Sequence, residues 1–468
     1  MAWKACIALA AVVCIGAGQA GAALFLLSNG QRTLGLAGAA MAGAQVALTR
    51  GAEAAWYNPA GMAREERTEA LLDGALLESS AWTSAGQTSE RLDSGPVSFA
   101  WASGPRRGRP RLAFGFFVHT PTANSGEIVV SDQRTVTNSA LPPPVRGAVD
   151  YDALFPQGVT RTESSQGVAR LDVLAVGGGL GLRVADWMRM GLNLRVERVQ
   201  LAAREQVSLG YRATGDYAGG SSLSGSSQYA AAYAGVADRA VASLGVQVDL
   251  ASGIALGIVA QSASDHIGGR GSAQVDRADH LTLTIPGTPG SEAAAVVHAD
   301  GQALPFDLRS PLQWRVGLSF VFDTVAAEFD VERAEPLASY AMFPRLLSTP
   351  PSTAAQRLGS LTTAENAVTR YALGVAFAQG NTGTLMLGLR MDPASAVGGD
   401  PLFARLDLYR MSTGYYFTRG AASGGVHLSY STGFDPALSL PSPAGAPTAA
   451  RSVEIAQWAL GLGAAMVF

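Results

Sequence analysis

The chain has 468 residues, and only 15% of them are charged, well below the ~25% that is typical of soluble domains. The formal net charge is −3, which argues against a nucleic-acid-binding surface. A low and scattered charge content, combined with 55 glycines, favours a sheet that has one apolar and one polar face.

The first 22 residues have the pattern of a cleaved secretory signal peptide. Lys4 supplies the positive charge, and residues 5–17 form an apolar core that is too short to span a membrane as a helix. Small residues at 18–22 suit cleavage. Because Cys6 and Cys14 both lie in this segment, we expect the mature chain to contain no disulfide and no thiolate metal site.

From about residue 67 onward, apolar residues recur at every second position, which is typical of β-strands with two unlike faces. Many of these segments have ten or more residues, whereas soluble strands average ~5–6 and membrane-spanning strands ~9–11. No later stretch has the ~18 consecutive apolar residues of a transmembrane helix, so a membrane-embedded chain must form a closed barrel. The predicted strands are 67–82, 93–104, 110–121, 166–184, 189–209, 233–249, 253–266, 303–322, 324–335, 368–378, 382–392, 402–418, 421–433 and 451–468.

The predicted connections alternate between short turns and long loops. The short ones are 185–189, 251–253, Asp323, 379–382 and Gly420, and the long ones are 122–165, 210–232, 267–302, 336–367 and 434–450. Bacterial outer-membrane barrels have short periplasmic turns and longer extracellular loops, whereas a soluble sandwich has no reason to sort its loops in this way. We therefore predict an all-β fold, a transmembrane antiparallel β-barrel of about fourteen strands over residues 66–468.

Charged residues occupy polar positions of the predicted strands and would face the interior of the barrel. They are Arg195, Glu197, Arg315, Glu328, Asp330, Arg390, Arg405 and Asp407, which we expect to form an ion-paired lining. The five histidines show no metal-ligand spacing, and no serine elbow, phosphate loop or zinc signature is present. The sequence thus predicts neither an enzyme nor a protein that needs a metal or cofactor.

Residues 23–65 do not alternate and are rich in glycine and alanine. They contain the run Leu-Gly-Leu-Ala-Gly-Ala at 34–39 and, about twenty residues later, Asn-Pro-Ala-Gly at 58–61. Together with the signal peptide, these motifs resemble the FadL/TodX family of outer-membrane transporters for long-chain fatty acids and hydrocarbons. The resemblance covers residues 24–62 as motifs and the rest only as architecture, namely about fourteen strands and a terminal Phe468.

The resemblance implies that residues 23–65 form a hatch, a plug lodged in the lumen of the barrel. Asn58, Pro59 and Ala60 would belong to this hatch, although the same residues also suit an ordinary turn before the first strand. The sequence departs from the family at 49–53, where Thr-Arg-Gly-Ala-Glu stands in place of an acidic stretch.

A kink in the third strand, which opens a lateral exit to the bilayer, is a further feature that the resemblance implies. In the matching segment, Gly115 and Pro121 are candidates for interrupting strand pairing. Phe116 and Phe117 are candidates for lining an apolar route. The alternative is that all four are ordinary strand residues.

Together with the predicted barrel, the resemblance implies a passive transporter in the cell outer membrane for hydrophobic compounds such as long-chain fatty acids or aromatic hydrocarbons. The expected partners are those ligands, outer-membrane lipid and lipopolysaccharide, and the barrel-assembly machinery, which would read the last strand ending at Phe468. The alternative is a structural, adhesive or porin-like barrel. Ligand identity, the side of release and the oligomeric state stay open at this point.

Overall fold

A computed structural model describes most of the chain. The described residues are 26–27, 32–64, 66–84, 87–93, 95, 97–105, 111–136, 157, 159–215, 220–284, 291–343, 347–349, 361–380, 382–396, 403–404, 406–438 and 451–468. The segment 1–22, with its predicted cleavage site, lies outside them. So do the prolines of the long connections at 142–144 and 286–289.

Fourteen antiparallel strands form a closed barrel, which confirms the predicted fold class. Strands are numbered in chain order, and the wall consists of β2 Thr68–Ser84, β4 Val97–Ser103, β5 Leu112–Val136, β6 Val159–Ala185, β7 Met188–Gly215, β8 Ser221–Ala251, β9 Ile254–Gln261, β12 Gln313–Phe322, β13 Val325–Ala334, β17 Val368–Gln379, β18 Gly383–Asp392, β20 Leu408–Arg419, β21 Ala422–Leu438 and β22 Arg451–Val467. Each wall strand pairs with the next one along this series. The ring closes where β22 pairs with β2, from Glu69 opposite Val467 to Ser84 opposite Val453.

The remaining strands lie outside this series. They are β1 Leu26–Leu27, β3 Gln87–Asp93, β10 Asp265–Thr284, β11 Ser291–Leu304, β14 Leu337–Phe343, β15 Leu347–Thr349, β16 Leu361–Glu365 and β19 Phe403–Ala404. β10 and β11 form a hairpin that continues the sheet from the outer half of β8. β3 pairs with the outer half of β2.

The wall is apolar outside and polar inside, the reverse of a soluble protein. On β7, the side chain of Leu194 is 61% exposed, whereas its neighbour Arg195 is only 5% exposed. On β13, Phe329 faces out while Glu328 and Asp330 are buried within the barrel. Because the outward band is apolar, the barrel is built to stand in a bilayer.

The predicted short turns are all present. β6 and β7 are joined at 186–187, β8 and β9 at 252–253, and β20 and β21 at 420–421. Asp323, Gly253 and Gly420 adopt positive φ angles of 42°, 78° and 64°, the left-handed conformation that tight hairpin turns require. One end of the barrel is therefore closed by short turns, as in the periplasmic ends of bacterial barrels.

The long connections are partly wrong as predicted, because they contain regular strands. β5 and β6 remain paired out to Val136 opposite Val159, and β7 and β8 out to Gly215 opposite Ser221. The segment 267–302 is mostly the β10–β11 hairpin. These parts are rich in Ala, Ser and Gly, whose intrinsic strand propensity is low, but pairing with a long neighbour on each side overrides that propensity. The sheet thus extends well beyond the membrane.

Residues 32–64, here called the N-terminal segment, lie inside the ring and are almost entirely buried. They form two short α-helices, Leu36–Ala40 and Ala54–Tyr57, followed by the 3₁₀ helix Pro59–Ala63. In the described part of the chain, no helix has the length and apolar character needed to cross a membrane.

Candidate functional site: the barrel interior

Carboxylates on the inner wall hold the backbone of the N-terminal segment. Asp330 on β13 accepts hydrogen bonds from the N–H groups of Gln45 (2.8 Å) and Val46 (3.2 Å). Glu328, two residues earlier on the same face, accepts from the next two N–H groups, those of Ala47 (2.5 Å) and Leu48 (2.9 Å). Four consecutive backbone donors of a loop are thereby satisfied by two side chains of the wall, which is how a buried irregular segment avoids unpaired amides.

The opposite side of the ring repeats this arrangement on β2. Glu69 accepts a hydrogen bond from the Ala52 N–H (2.8 Å), and Asp73 accepts one from the Gly35 N–H (3.1 Å). Acids on two separate wall strands therefore hold the segment from both sides.

The three motif residues Asn58, Pro59 and Ala60 are fully buried in the N-terminal segment. The Asn58 side chain donates to the carbonyls of Val46 (2.8 Å) and, on β8, Val246 (3.1 Å). Its oxygen accepts from the Ala60 N–H (3.2 Å), which caps the 3₁₀ helix. Pro59 begins that helix, where its missing N–H leaves no unpaired donor. Asn58 thus ties three parts of the interior together.

The wall presents glycine wherever the N-terminal segment approaches it. A Cβ added to Gly191 would lie 2.2 Å from the Pro59 carbonyl carbon, and one added to Gly245 would lie 2.1 Å from the Asn58 side-chain oxygen. The glycines of this kind, here called the glycine collar, are Gly115, Gly179, Gly181, Gly191, Gly245, Gly257, Gly317, Gly374, Gly388, Gly414, Gly425 and Gly463. Several face each other directly across strands, for example Gly181 with Gly191 and Gly374 with Gly388. Glycine in a strand marks close approach of another backbone, and here it marks it around most of the ring.

Glu53 is a buried acid within the N-terminal segment itself. Its side chain lies against Gly35, where an added Cβ would be 2.1 Å from the Glu53 Oε1 atom. Burial, together with the nearby carboxylates of Glu69 and Asp73, raises the pKa of Glu53 to about 8, although backbone N–H groups that hydrogen-bond to Glu53 lower it in part. Glu53 is therefore mostly protonated at neutral pH.

Ion pairs line the interior beside the N-terminal segment, and three of the eight predicted lining residues, Arg195, Glu197 and Arg390, take part in them. Glu328 and Asp330 bind backbone N–H groups of the segment instead. Glu197 pairs with Arg195 (2.7 Å) and Arg239 (2.8 Å), and all three are buried. Across the ring, Glu332 pairs with Arg370 (2.6 Å) and Arg390 (3.4 Å). This second network borders a polar cavity of about 30 Å³, which has room for roughly two water molecules.

The other predicted lining residues occupy different positions. Arg315 lines the same polar cavity as the second network. Asp407 is exposed rather than lumenal, and its carboxylate accepts a hydrogen bond from the Ala394 N–H (2.9 Å). Arg405 lies outside the described residues. Among the residues that the structure describes, no group of three or more His, Cys, Asp or Glu side chains is placed to hold a metal ion.

Above the charged layer, the inner face becomes apolar. On β7 the inward residues after Glu197 include Val199, Leu201, Val207 and Leu209, all buried. They belong to one cluster with inward residues of β6, β8, β10 and β11, covered by Phe306 and Phe343. We call this the outer apolar cup. It is the large apolar surface of the interior, and it lies in the part of the sheet that extends beyond the membrane.

The wall is interrupted between β3 and β5. β2 pairs with β4 only up to Gly74 opposite Val97, and above that point it pairs with β3. β5 pairs with β4 only from Phe114 to Val118. In the described residues, no ladder joins β5 to β3 above this level. Leu92 and Val97, at the edge of the interruption, are 68% and 63% exposed. Apolar side chains thus border the interruption.

The two residues of the predicted kink, Gly115 and Pro121, differ in their strand pairing. Gly115 stays paired on both sides and belongs to the glycine collar. Pro121 lies at a register shift in the β5–β6 ladder between His119 and Thr122, and its carbonyl accepts from the Arg32 N–H (2.7 Å). The register shift therefore lies at Pro121, whose carbonyl group accepts its hydrogen bond from Arg32 of the N-terminal segment instead of from a neighbouring strand.

The two candidate route residues point to opposite faces. Phe116 faces the lipid beside Phe99 and Trp101, with ring centroids 5.5 and 5.7 Å away. Phe117 is fully buried and packs edge-on against Trp56 of the N-terminal segment at 5.4 Å. Consecutive strand residues always alternate in this way. Any route that both residues line must cross the wall.

Sequence reasoning missed the glycine collar and the wall acids Glu69 and Asp73. The signal was present in the alternation itself, because Gly388 occupies a polar position of the segment 384–392 and Gly317 one of 312–322. Reading all inward positions side by side would have shown a glycine at an inward position on most of the wall strands. The sequence offers no comparable signal for which acids meet the N-terminal segment.

Comparison with known proteins gives a consistent picture at the level of fold. No protein-family model and no curated protein sequence matches the chain. Among solved structures, a Pseudomonas aeruginosa FadL homologue is 13% identical with a TM-score of 0.56, covering 96% of this chain and 99% of its own. A TodX monoaromatic hydrocarbon channel mutant is 14% identical with a TM-score of 0.55, covering 93% and 99%. The Ralstonia pickettii toluene transporter TbuX is 16% identical with a TM-score of 0.52, covering 93% and 98%.

This chain has the FadL/TodX fold. The resemblance in the motifs at 34–39 and 58–61 is thereby confirmed as a likeness of the whole architecture. A FadL-type barrel with an apolar outer band stands in the outer membrane, and the predicted location is confirmed.

Proposed function

We propose that this FadL-type barrel is a passive channel that carries hydrophobic small molecules, such as long-chain fatty acids or aromatic hydrocarbons, across the outer membrane. One observation carries the proposal. In the register of the sheet, His119, Ala175 and Glu197 form one row, and Thr122, Val173 and Val199 form the next. The wall interruption thus begins at the row where the inner face changes from charged to apolar.

An apolar ligand that enters the outer cup meets this charged layer next. Moving the ligand further inward would displace water from the charged groups of this layer without offering them new partners, and that desolvation costs free energy. Moving it sideways takes it past Leu92 and Val97 into the hydrocarbon of the bilayer, which is favourable. The arrangement therefore favours lateral release, driven only by the concentration gradient of the ligand.

Residues 23–65 act in this proposal as the hatch. Its described part, the N-terminal segment, fills the ring at the level of the glycine collar, and a small polar cavity lies between it and β12, β13, β17 and β18. Asn58, Pro59 and Ala60 fix the path of the hatch against β7 and β8. Such a plug blocks ions and water while the lateral path stays separate from it.

The comparisons support the ligand class. The similar solved structures include a monoaromatic hydrocarbon channel and a toluene transporter, and we extend that class of ligand to this chain. These neighbours are channels, so the proposal needs no enzymatic step.

Uptake by whole cells tests the proposal. Cells lacking this protein are compared with cells carrying it for uptake of radiolabelled oleate and toluene, with a small hydrophilic sugar as the control solute. We expect restored uptake of one or both hydrophobic probes and no change for the sugar. Equal uptake of every probe in both strains would refute the transport function. In planar bilayers we expect near-zero conductance, whereas a large steady pore would favour the porin-like alternative.

A further inference from the structure

The outer apolar cup contains one ionisable side chain that its packing does not explain. Glu205 lies on β7 between Ala203 and Val207, which are both buried on the inner face. Its neighbours Arg204 and Gln206 are exposed on the outer face. The alternation of the strand therefore turns the Glu205 side chain into the cup, where it is half-buried.

The surroundings of Glu205 are small or aromatic. In the register of the sheet, it lies opposite Gly167 on β6 and opposite Ala231 on β8. One row further in, Ala203 lies opposite Tyr233, whose ring is 5.8 Å from that of Phe343. Small residues thus lie opposite Glu205 on both neighbouring strands, and an aromatic residue, Tyr233, lies one row further in.

Glu205 makes no hydrogen bond and no ion pair with any side chain that the structure describes. The charged networks of the interior end below it, at Glu197 and Arg239. Placing a carboxyl group among apolar side chains costs free energy unless a hydrogen-bonding or charged partner compensates it, and buried polar groups usually have such a partner. Here the inner wall supplies alkyl and aromatic groups instead.

We propose that Glu205 is a specificity-determining residue, which binds the hydrogen-bond donor group of a hydrophobic ligand held in the outer apolar cup. The ligand class is an apolar body that carries one donor, such as a hydroxyl or an ammonium group. The inference rests on the proposed function and narrows it, because a pure hydrocarbon would leave the carboxyl group unpaired. An apolar site with one well-placed polar group is the usual design of a small-molecule site.

A matched set of probes tests the inference with the full protein in lipid nanodiscs. 4-Ethylphenol offers a donor, 4-ethylanisole has nearly the same body with the donor replaced by a methyl ether, and 2-phenylethylamine offers a cationic donor. Binding is measured by calorimetry for the wild type, Glu205→Gln, Glu205→Leu and the control Gln206→Leu. The control places the same new side chain one residue away, on the outer face. Heat-modifiable migration in gels verifies that every variant is folded.

The wild type and Gln206→Leu should bind 4-ethylphenol roughly tenfold more tightly than 4-ethylanisole, the size expected for a hydrogen bond to a charged group. Glu205→Leu should bind the two equally, and Glu205→Gln should keep part of the phenol preference while losing binding of the amine. The same phenol-to-anisole ratio in the wild type and in Glu205→Leu would overturn the inference. If no probe binds even to the wild type, the failure lies with the proposed function. If all probes bind equally well, only the role of Glu205 fails.

Discussion

Removing the two wall acids of β13 should release the N-terminal segment. Glu328 and Asp330 accept four hydrogen bonds from the consecutive N–H groups of residues 45–48. Each such bond contributes about 1 kcal/mol net, and loss of a buried acceptor costs at least as much. The double variant Glu328→Ala/Asp330→Ala should therefore weaken docking by about 4 kcal/mol, which corresponds to roughly a thousandfold change in the docking equilibrium.

Single-channel recording and limited proteolysis measure this change. We expect the double variant to show frequent conducting events and to be cut by trypsin after Arg50 or Arg64, where the wild type is quiet and protected. The variant Glu328→Gln/Asp330→Asn keeps acceptor oxygens and should lie between the two. Glu332→Gln is the matched control, because Glu332 lies on the same strand and face but contacts Arg370 and Arg390 instead of the segment. A double variant as quiet and as protected as the wild type would refute the reasoning.

Two further outcomes follow from the interior. Because the pKa of Glu53 in the folded protein is raised above its ordinary value of 4.5, the stability that Glu53 contributes is full below pH 4.5 and is lost as the pH rises through about 8. Tryptic cleavage of the N-terminal segment should therefore increase over this pH range in the wild type but not in Glu53→Gln. A flat pH profile in both proteins would count against this role of Glu53. Gly191→Ala should raise conductance, since its Cβ would overlap backbone of the segment, whereas Gly268→Ala, with no atom within 4 Å, should not; equal behaviour would exclude the packing argument.

The barrel could be predicted from the sequence because a membrane wall imposes strict rules on it. The alternation in 312–322 and 384–392 survives in the structure as β12 and β18, and every predicted tight turn is present. The sequence predicts loops at the outer parts of β5 to β8, because beyond the membrane the outward face is no longer required to be apolar. Glu127 and Ser164 lie in such stretches, where the period of two fades. Pairing along a long hairpin, which no single strand's composition reveals, holds them in the sheet.

The polar character of the interior could be predicted from the sequence, but the individual contacts within it could not. Charges such as Arg195 and Glu197 are inward because they alternate with leucine and valine, and their ion pairs follow from that. Which acids meet the N-terminal segment depends on how far the chain travels across the ring, so Glu69 and Asp330 could not be assigned to it. Pro121 was recognised as a strand breaker, but the hydrogen bond from Arg32 that completes the interruption joins residues 89 positions apart in the chain, and no local pattern encodes it.

The glycine collar limits how this barrel can vary. At each of its positions the wall already has the smallest residue available, so any substitution there adds atoms and none removes them. Substitutions at Gly245 or Gly388 can therefore only tighten the fit until the N-terminal segment is displaced. If that segment is the hatch proposed above, a wider pore has to arise from its shortening, so differences in permeability among relatives should be sought in residues 32–64 before they are sought in the wall.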